Sequence, residues 1–180
     1  EALGEDVFVH GYYEIKKILK KQDLDVELVV LLFANGATLT GELIDKGVAI
    51  LRQDASFDSA VTTSVYNMWS PLRARKLRKD GCLHPMIPFE TFGDPDTLNC
   101  DRDSQGDVHF ADMSVSVVRP QCLENLAEGL LPQKWMGKKI YPLTQEGVLD
   151  VDYPYELPIA EYWLKTNGFT EEKLPYKLKK

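Results

Sequence analysis

The residues best suited by type and spacing to hold a cation lie in DRDSQGDVHFAD, residues 101–112. A calcium loop needs oxygen ligands at alternate positions and a glycine at its sharpest bend. Asp101, Asp103 and Gln105 stand at its first, third and fifth places, Gly106 at the sixth, Val108 at the eighth and Asp112 at the twelfth. Calcium is the cofactor this spacing suggests, with Asp101, Asp103, Gln105 and Asp112 as ligands; no other cofactor is expected. Two features argue against it. The twelfth place holds Asp where a longer Glu would reach the ion with both oxygens. The flanks FETFGDPDTLN and MSVSVV are poor helix formers, the first for Gly93 and Pro95, the second for its strand-like alternation. A solvated loop whose aspartates close Asx turns is the favoured reading.

A second concentration of chemistry is RARKLRK, where Arg73, Arg75, Lys76, Arg78 and Lys79 put five positive charges into seven residues. Charge of that density can hold phosphate or an acidic partner segment. The competing reading is a solvated helix face paired with carboxylates of the same fold, and exposed pairs of that kind add little stability. Aromatic residues that would stack single-stranded bases are limited to Tyr66 and Trp69 upstream.

Nucleophilic chemistry has weaker support. The histidines are His10, His84 and His109, and the cysteines Cys82, Cys100 and Cys122. A Cys–His pair would need Cys82 with His84 or Cys100 with His109, and sequence proximity says little about such pairs. Zincin, nucleophile-elbow, phosphate-loop and dinucleotide motifs are absent, so the reading leans away from an enzyme.

The bulk numbers set the frame for these candidates. The 180 residues suit one good-sized domain, and the chain is 44% hydrophobic, 27% charged and −7 in formal net charge. That excess of acid argues against an extended nucleic-acid groove while leaving room for a local basic patch. Three dispersed cysteines without a CxxC unit argue against a disulfide framework or zinc site, so a reducing, intracellular location, cytoplasmic or nuclear, is expected. No apolar run reaches the roughly 20 residues of a membrane span, no signal-peptide pattern opens the chain, and no membrane partner is expected. The Glu at position 1 suggests a segment of a longer or processed protein.

The elements that must carry these residues read as α+β. Tyr12, Ile15, Ile18 and Leu19 recur at helical spacing, with lysines on the other face. Residues 25–33 read as a mostly buried strand, and Asn35-Gly36 as a hairpin turn. Residues 38–44 can return as a second strand or enter a short helix that stops at Gly47. AVTTSVYNMW reads as a strand and PLRARKLRKDG as a basic helix or loop. Residues 81–112, rich in Pro, Gly and Asp, read as one long irregular excursion. MSVSVV then alternates as a half-buried strand, PQCLENLAEGL reads as a helix, and short strands are expected near 139–141 and 148–151. LPIAEYWLKTNG is the clearest late helix, followed by a turn capped by Thr170 and a basic tail. The sum is a single domain with a small curved antiparallel sheet or partial barrel, peripheral helices and a long loop.

Within residues 12–51, the pattern L-x-x-x-L-I-x-x-G-x-A is filled by Leu39, Leu43, Ile44, Gly47 and Ala49. The segment resembles the staphylococcal-nuclease-like portion of extended Tudor domains. VELVVLLFANGATLTGELI is also similar to the strand-turn-strand opening of Sm-like barrels. The resemblance implies a small β-barrel in a protein of scaffold or ribonucleoprotein type, and it transfers no ligand-binding residue.

Together these readings predict a non-enzymatic interaction domain for a protein or peptide partner. Tyr153, Tyr155, Tyr162 and Trp163 are its candidate aromatic docking residues, although helical spacing favours core packing for Tyr162 and Trp163. The alternatives are an accessory RNA-binding domain using residues 73–79 and a cation-dependent enzyme built on residues 82–112.

Overall fold

A computed structural model describes residues 4–101, 104–147 and 150–175. The fold is α+β. It forms two compact units, one from the chain up to Thr63 together with the chain from Ala111 onward, the other from Ser64–Phe110. The basic tail expected at the C-terminus lies largely outside the described residues.

In the first unit, α1 (Gly4–Lys20) precedes β1 (Val29–Leu32), and α2 (Gly41–Gln53) precedes β2 (Ser59–Val65). In the second unit come β3 (Arg75–Leu77) and β4 (Leu83–Pro85). Then β5 (His109–Val118) leads back to α3 (Pro120–Glu124), β6 (Ile140–Thr144) and α4 (Leu157–Thr166). The larger sheet has the order β1-β5-β2-β6. β1 pairs antiparallel with β5 and β2 pairs parallel with β6. This four-stranded sheet is mixed and open, with β1 and β6 at its edges, rather than an antiparallel partial barrel. Closing it would require those two edges to pair.

Two apolar clusters pack on the sheet, and strand alternation sorts them. Val115 and Val117 of β5 join Leu43 and Leu51 of α2 with Leu143. Val118 points the other way, into a cluster with Tyr12 of α1, Leu31, Leu123 and Trp135. The second half of β5 is therefore buried on both faces, which is why Ser114 and Ser116 are as inaccessible as Val115 between them and Val117 beyond. Alternation in MSVSVV predicts a half-buried strand, and it does not reveal that α1 packs on the face of Val118 and the serines. β1, expected to be mostly buried, is an edge strand with only Leu31 buried.

Several local expectations are corrected. Ile15 and Ile18 of α1 are each 55% exposed, while Phe8 and Tyr12 carry the packing. The ring of Phe8 meets Phe33 and Trp135 edge-on, with centroids 5.7 and 5.3 Å apart. Asn35-Gly36 closes no hairpin, because the chain beyond it enters α2. The hydroxyl oxygen of Thr40 accepts from the Leu43 N–H at 3.2 Å, which fixes the helix start. Gly36 instead allows a close crossing, since a Cβ there would lie 2.7 Å from that of Ser114. Gly47 lies inside α2 and does not end it. Its missing side chain lets the helix settle on the sheet, where a Cβ would lie 2.8 Å from a γ-methyl of Val117.

The C-terminal end of α2 is satisfied from β5's exit. The Arg119 guanidinium donates to the carbonyls of Leu51, Phe57 and Asp54 at 2.5, 2.7 and 3.1 Å. The helix expected from PQCLENLAEGL is shorter than its pattern, breaking after Glu124 into a 3₁₀ turn at Leu126–Glu128. Of the strand expected near 148–151, residues 148 and 149 are outside the described residues, and Asp150 makes one bridge to Gly36. α4 runs as expected and stops at Gly168, whose φ of 75° is left-handed. The Thr170 hydroxyl accepts from the N–H groups of Glu172 and Lys173, closing the expected final turn.

Candidate functional site: a basic hairpin

The basic cluster forms a 3₁₀ turn and a strand, not a helix. Pro71 fixes the first turn of Pro71–Arg73, and the Ser70 hydroxyl accepts from the Leu72 N–H at 3.3 Å. The chain then extends through β3, turns at Lys79, Asp80 and Gly81, and returns as β4. The turn is closed by Gly81 N–H to Arg78 C=O and Arg78 N–H to Cys82 C=O, both at 3.0 Å. Gly81 has φ of 79°, the left-handed position that a three-residue hairpin loop requires. Asp80 locks the turn. One carboxylate oxygen accepts from the Cys82 N–H at 2.9 Å, and the other lies 2.9 Å from Nε2 of His84. The Cys82 bond, followed by the His84 bond, holds the Asp80 carboxyl below its ordinary range.

The register decides what each face and edge presents. Arg75 pairs with Pro85, Lys76 with His84 and Leu77 with Leu83. Directly opposed residues share a face. Lys76 and His84 therefore share one face, which alternation extends to Arg78. Leu77, Leu83, Arg75 and Pro85 share the other. Both leucines are open to solvent, 66% and 69% exposed.

The five cations divide into two sets. Arg73 donates to the Cys100 carbonyl at 2.6 Å. Arg75 donates to the carbonyls of Leu72 and Ala74 and lies over the Phe89 ring, 5.4 Å from its centroid. These two arginines hold the second unit together. They also line an open cavity of about 630 Å³ with Leu72, Phe89, Pro95 and Leu98. Lys76, Arg78 and Lys79 have a different setting. Among the described residues, no hydrogen bond or ion pair engages their side chains. They border a second open cavity of about 650 Å³ with Leu77, Pro85 and Met86. The pairing with nearby carboxylates that the sequence suggested for this cluster is therefore not seen for these three.

Four rings of the second unit have partners, and Trp69 among them stays 52% exposed. Tyr66 and Trp69 stack at 4.4 Å, Phe110 meets Trp69 edge-on at 5.5 Å, and Phe89 takes the Arg75 cation.

The other candidates separate. Asp101 is exposed; its N–H donates to Asn99 Oδ1 at 2.8 Å and its carbonyl accepts from the Ser104 N–H. The Gln105 amide donates to the carbonyl of Ser104. Asp103 lies outside the described residues. Asp112 is already in β5, where one oxygen accepts from the Thr62 hydroxyl at 2.5 Å and the Ser114 N–H at 2.9 Å. Among the described residues no three His, Cys, Asp or Glu side chains gather to hold a metal. No hydrogen bond among them joins Cys82 to His84 or Cys100 to His109.

In the first unit Tyr153 and Tyr155 stack in parallel, 5.4 Å apart with rings inclined by 6°, and both are exposed. Tyr162 is 71% exposed, against the expectation that helical spacing would bury it. Trp163 does serve the fold: its Nε1 donates to the Glu146 carbonyl at 2.7 Å, and its ring stacks on Phe169. On α4 only Ala160 is buried.

Sequence reasoning missed Asp150, a carboxyl raised above its ordinary range by burial and, secondarily, by the charge of Asp112. Nothing in the local pattern around residue 150 distinguishes it from the other aspartates, because both causes are tertiary. No helix among the described residues is long and apolar enough to cross a membrane. No family model matches the chain, and no curated protein matches it.

Proposed function

We propose that this chain is a non-catalytic interaction domain whose basic hairpin receives an acidic segment of a partner protein. The observation that carries the reading is the group Lys76, Arg78 and Lys79, left without carboxylate partners among the described residues of a chain holding 28 Asp and Glu. Other lysine side chains, Lys20, Lys21 and Lys46 among them, also lack an ion pair among the described residues. Lys76, Arg78 and Lys79 differ in standing within four residues of one hairpin, where together they are available to an external anion.

Peptide is favoured over RNA by what surrounds the charges. Single-stranded RNA is held by open aromatic faces as well as by cations. Tyr66, Trp69 and Phe110 contact one another, with Trp69 52% exposed, but the cavity bordered by Lys76, Arg78 and Lys79 is lined by the aliphatic Leu77, Pro85 and Met86 and by no ring. Aliphatic surface beside positive charge suits a segment that mixes carboxylates with apolar side chains.

The test is titration of the full chain with a fluorescent octaglutamate peptide and, separately, a single-stranded oligouridine, each at several salt concentrations. The expected result is peptide binding that weakens at least tenfold in the Lys76→Glu/Arg78→Glu/Lys79→Glu variant, with the circular dichroism unchanged. The reading fails if the peptide shows no binding, if charge reversal leaves its affinity unaltered, or if the oligouridine binds more tightly through the same three residues.

A further inference from the structure

We infer that β3 is a docking edge, to which a partner segment adds as a third strand with its acidic and apolar side chains in alternation. This inference rests on the acidic-partner reading above and specifies its geometry.

The Met86 N–H donates to the Ala74 carbonyl, and the Arg78 N–H donates to the Cys82 carbonyl, each at 3.0 Å. These hydrogen-bonded pairs stand four residues apart on each strand, so the Lys76–His84 pair between them is of the same type. In an antiparallel pair the intervening residues turn their amides outward. Arg75 and Leu77 therefore aim two N–H groups and two carbonyls away from β4. Among the described residues none of these four groups has a hydrogen-bond partner.

The opposite edge is different. Pro85 is the residue opposite Arg75 and has no N–H to offer, the usual device for blunting a strand edge. The hairpin thus has one blunted edge and one open edge, and the open edge is the one that carries the cations.

Side-chain alternation then defines the guest. A strand beside β3 shares its two faces. Every second guest residue lies on the face of Leu77 and Leu83, where apolar side chains would cover two exposed leucines. The residues between lie on the face of Lys76 and Arg78, where carboxylates would meet the unpaired cations. Main-chain bonds supply affinity and the alternating contacts supply selectivity, as in other strand-addition complexes.

The experiment uses the full chain and four octapeptides: alternating Glu-Val, the same composition in two blocks, and the alternating peptide N-methylated at every Val or at every Glu. In a strand those two sets of amides face opposite edges, so only one set can face β3. Methylating that set should weaken binding about tenfold or more, the loss expected for two backbone hydrogen bonds, while methylating the other leaves affinity within about twofold. The block peptide should bind more weakly than the alternating one. Amide exchange at Arg75 and Leu77 should slow on addition of the alternating peptide. If all four bind equally and exchange at Arg75 and Leu77 is unchanged, strand addition is refuted and the acidic-partner reading stands. If none binds, both fall together.

Discussion

Replacing Gly47 by alanine puts a methyl group where α2 meets the sheet. That carbon would stand 2.8 Å from a γ-methyl of Val117 and 3.0 Å from a δ-methyl of Leu143, against an ordinary contact nearer 3.4–4 Å. Both partners have no solvent exposure and belong to one apolar cluster, so neither can swing into open space. Overpacking of this kind costs about 1–3 kcal/mol. Alanine in a helix interior recovers roughly 1 kcal/mol of the intrinsic penalty of glycine. The two contacts place the steric cost at the upper end, leaving a net loss of about 1–2 kcal/mol. In urea unfolding followed by circular dichroism, with a slope of about 2 kcal/mol per molar, the midpoint should fall by roughly 0.5–1 M at unchanged slope. A double-mutant cycle isolates the cause. Val117→Ala removes the nearest obstacle and is itself destabilising, but in that background Gly47→Ala should cost less than it does alone. The reasoning is refuted if Gly47→Ala matches or exceeds the parent in stability, or if its cost is the same in both backgrounds.

Asp150 predicts a pH dependence. Its pKa is raised by burial and by Asp112, so the folded chain holds the Asp150 proton more tightly than the unfolded chain does. Stability from this group is therefore greatest below the unfolded value of about 3.9 and declines as pH rises through the folded value. Asp150→Asn should raise the melting temperature at pH 7, keep the acceptor that takes the Ser114 hydroxyl proton, and lose its advantage toward pH 4; an advantage that persists at pH 4 would contradict this. The thiols make a separate prediction. Cys82 and Cys100 are exposed, whereas burial and the charge of Asp58 push Cys122 up to about 11. A thiol reagent at pH 8 should titrate two groups quickly and the third only on unfolding. Three equal rates would contradict the placement of Cys122.

What could be read from the residues divides along local and tertiary lines. α4 was legible because its apolar spacing, Pro158 and the Asn167-Gly168 stop all lie within one stretch. The strand read in AVTTSVYNMW holds through its β-branched residues Val61, Thr62, Thr63 and Val65 and ends there, with Asn67–Trp69 turning as a 3₁₀ helix. Asn35-Gly36 misled because the dipeptide states what φ values it tolerates, and the structure uses the glycine for close approach to Ser114 instead. Gly47 misled for the same reason: a glycine that ends a helix and one that admits a neighbouring strand look alike in one dimension. For the candidate site, composition revealed the density of charge at 73–79. It did not reveal that backbone carbonyls would hold Arg73 and Arg75 while Lys76, Arg78 and Lys79 stay free of them. That division depends on the hairpin register and on Cys100 and Phe89, which lie far along the chain.

The second unit departs from β2 and rejoins at β5, and these two strands are neighbours in the sheet. Its 47 residues between Thr63 and Ala111 therefore begin and end on neighbouring strands, whose tips at residues 64–65 and 109–110 they include. Lengthening or replacing such an excursion changes the entropy of ring closure only logarithmically. A short turn joining β2 to β5 should leave the remaining sheet and its helices folded. On that outcome the part of the molecule that carries the charges is free to diversify, or to be exchanged for another sequence, without renegotiating the architecture that bears it.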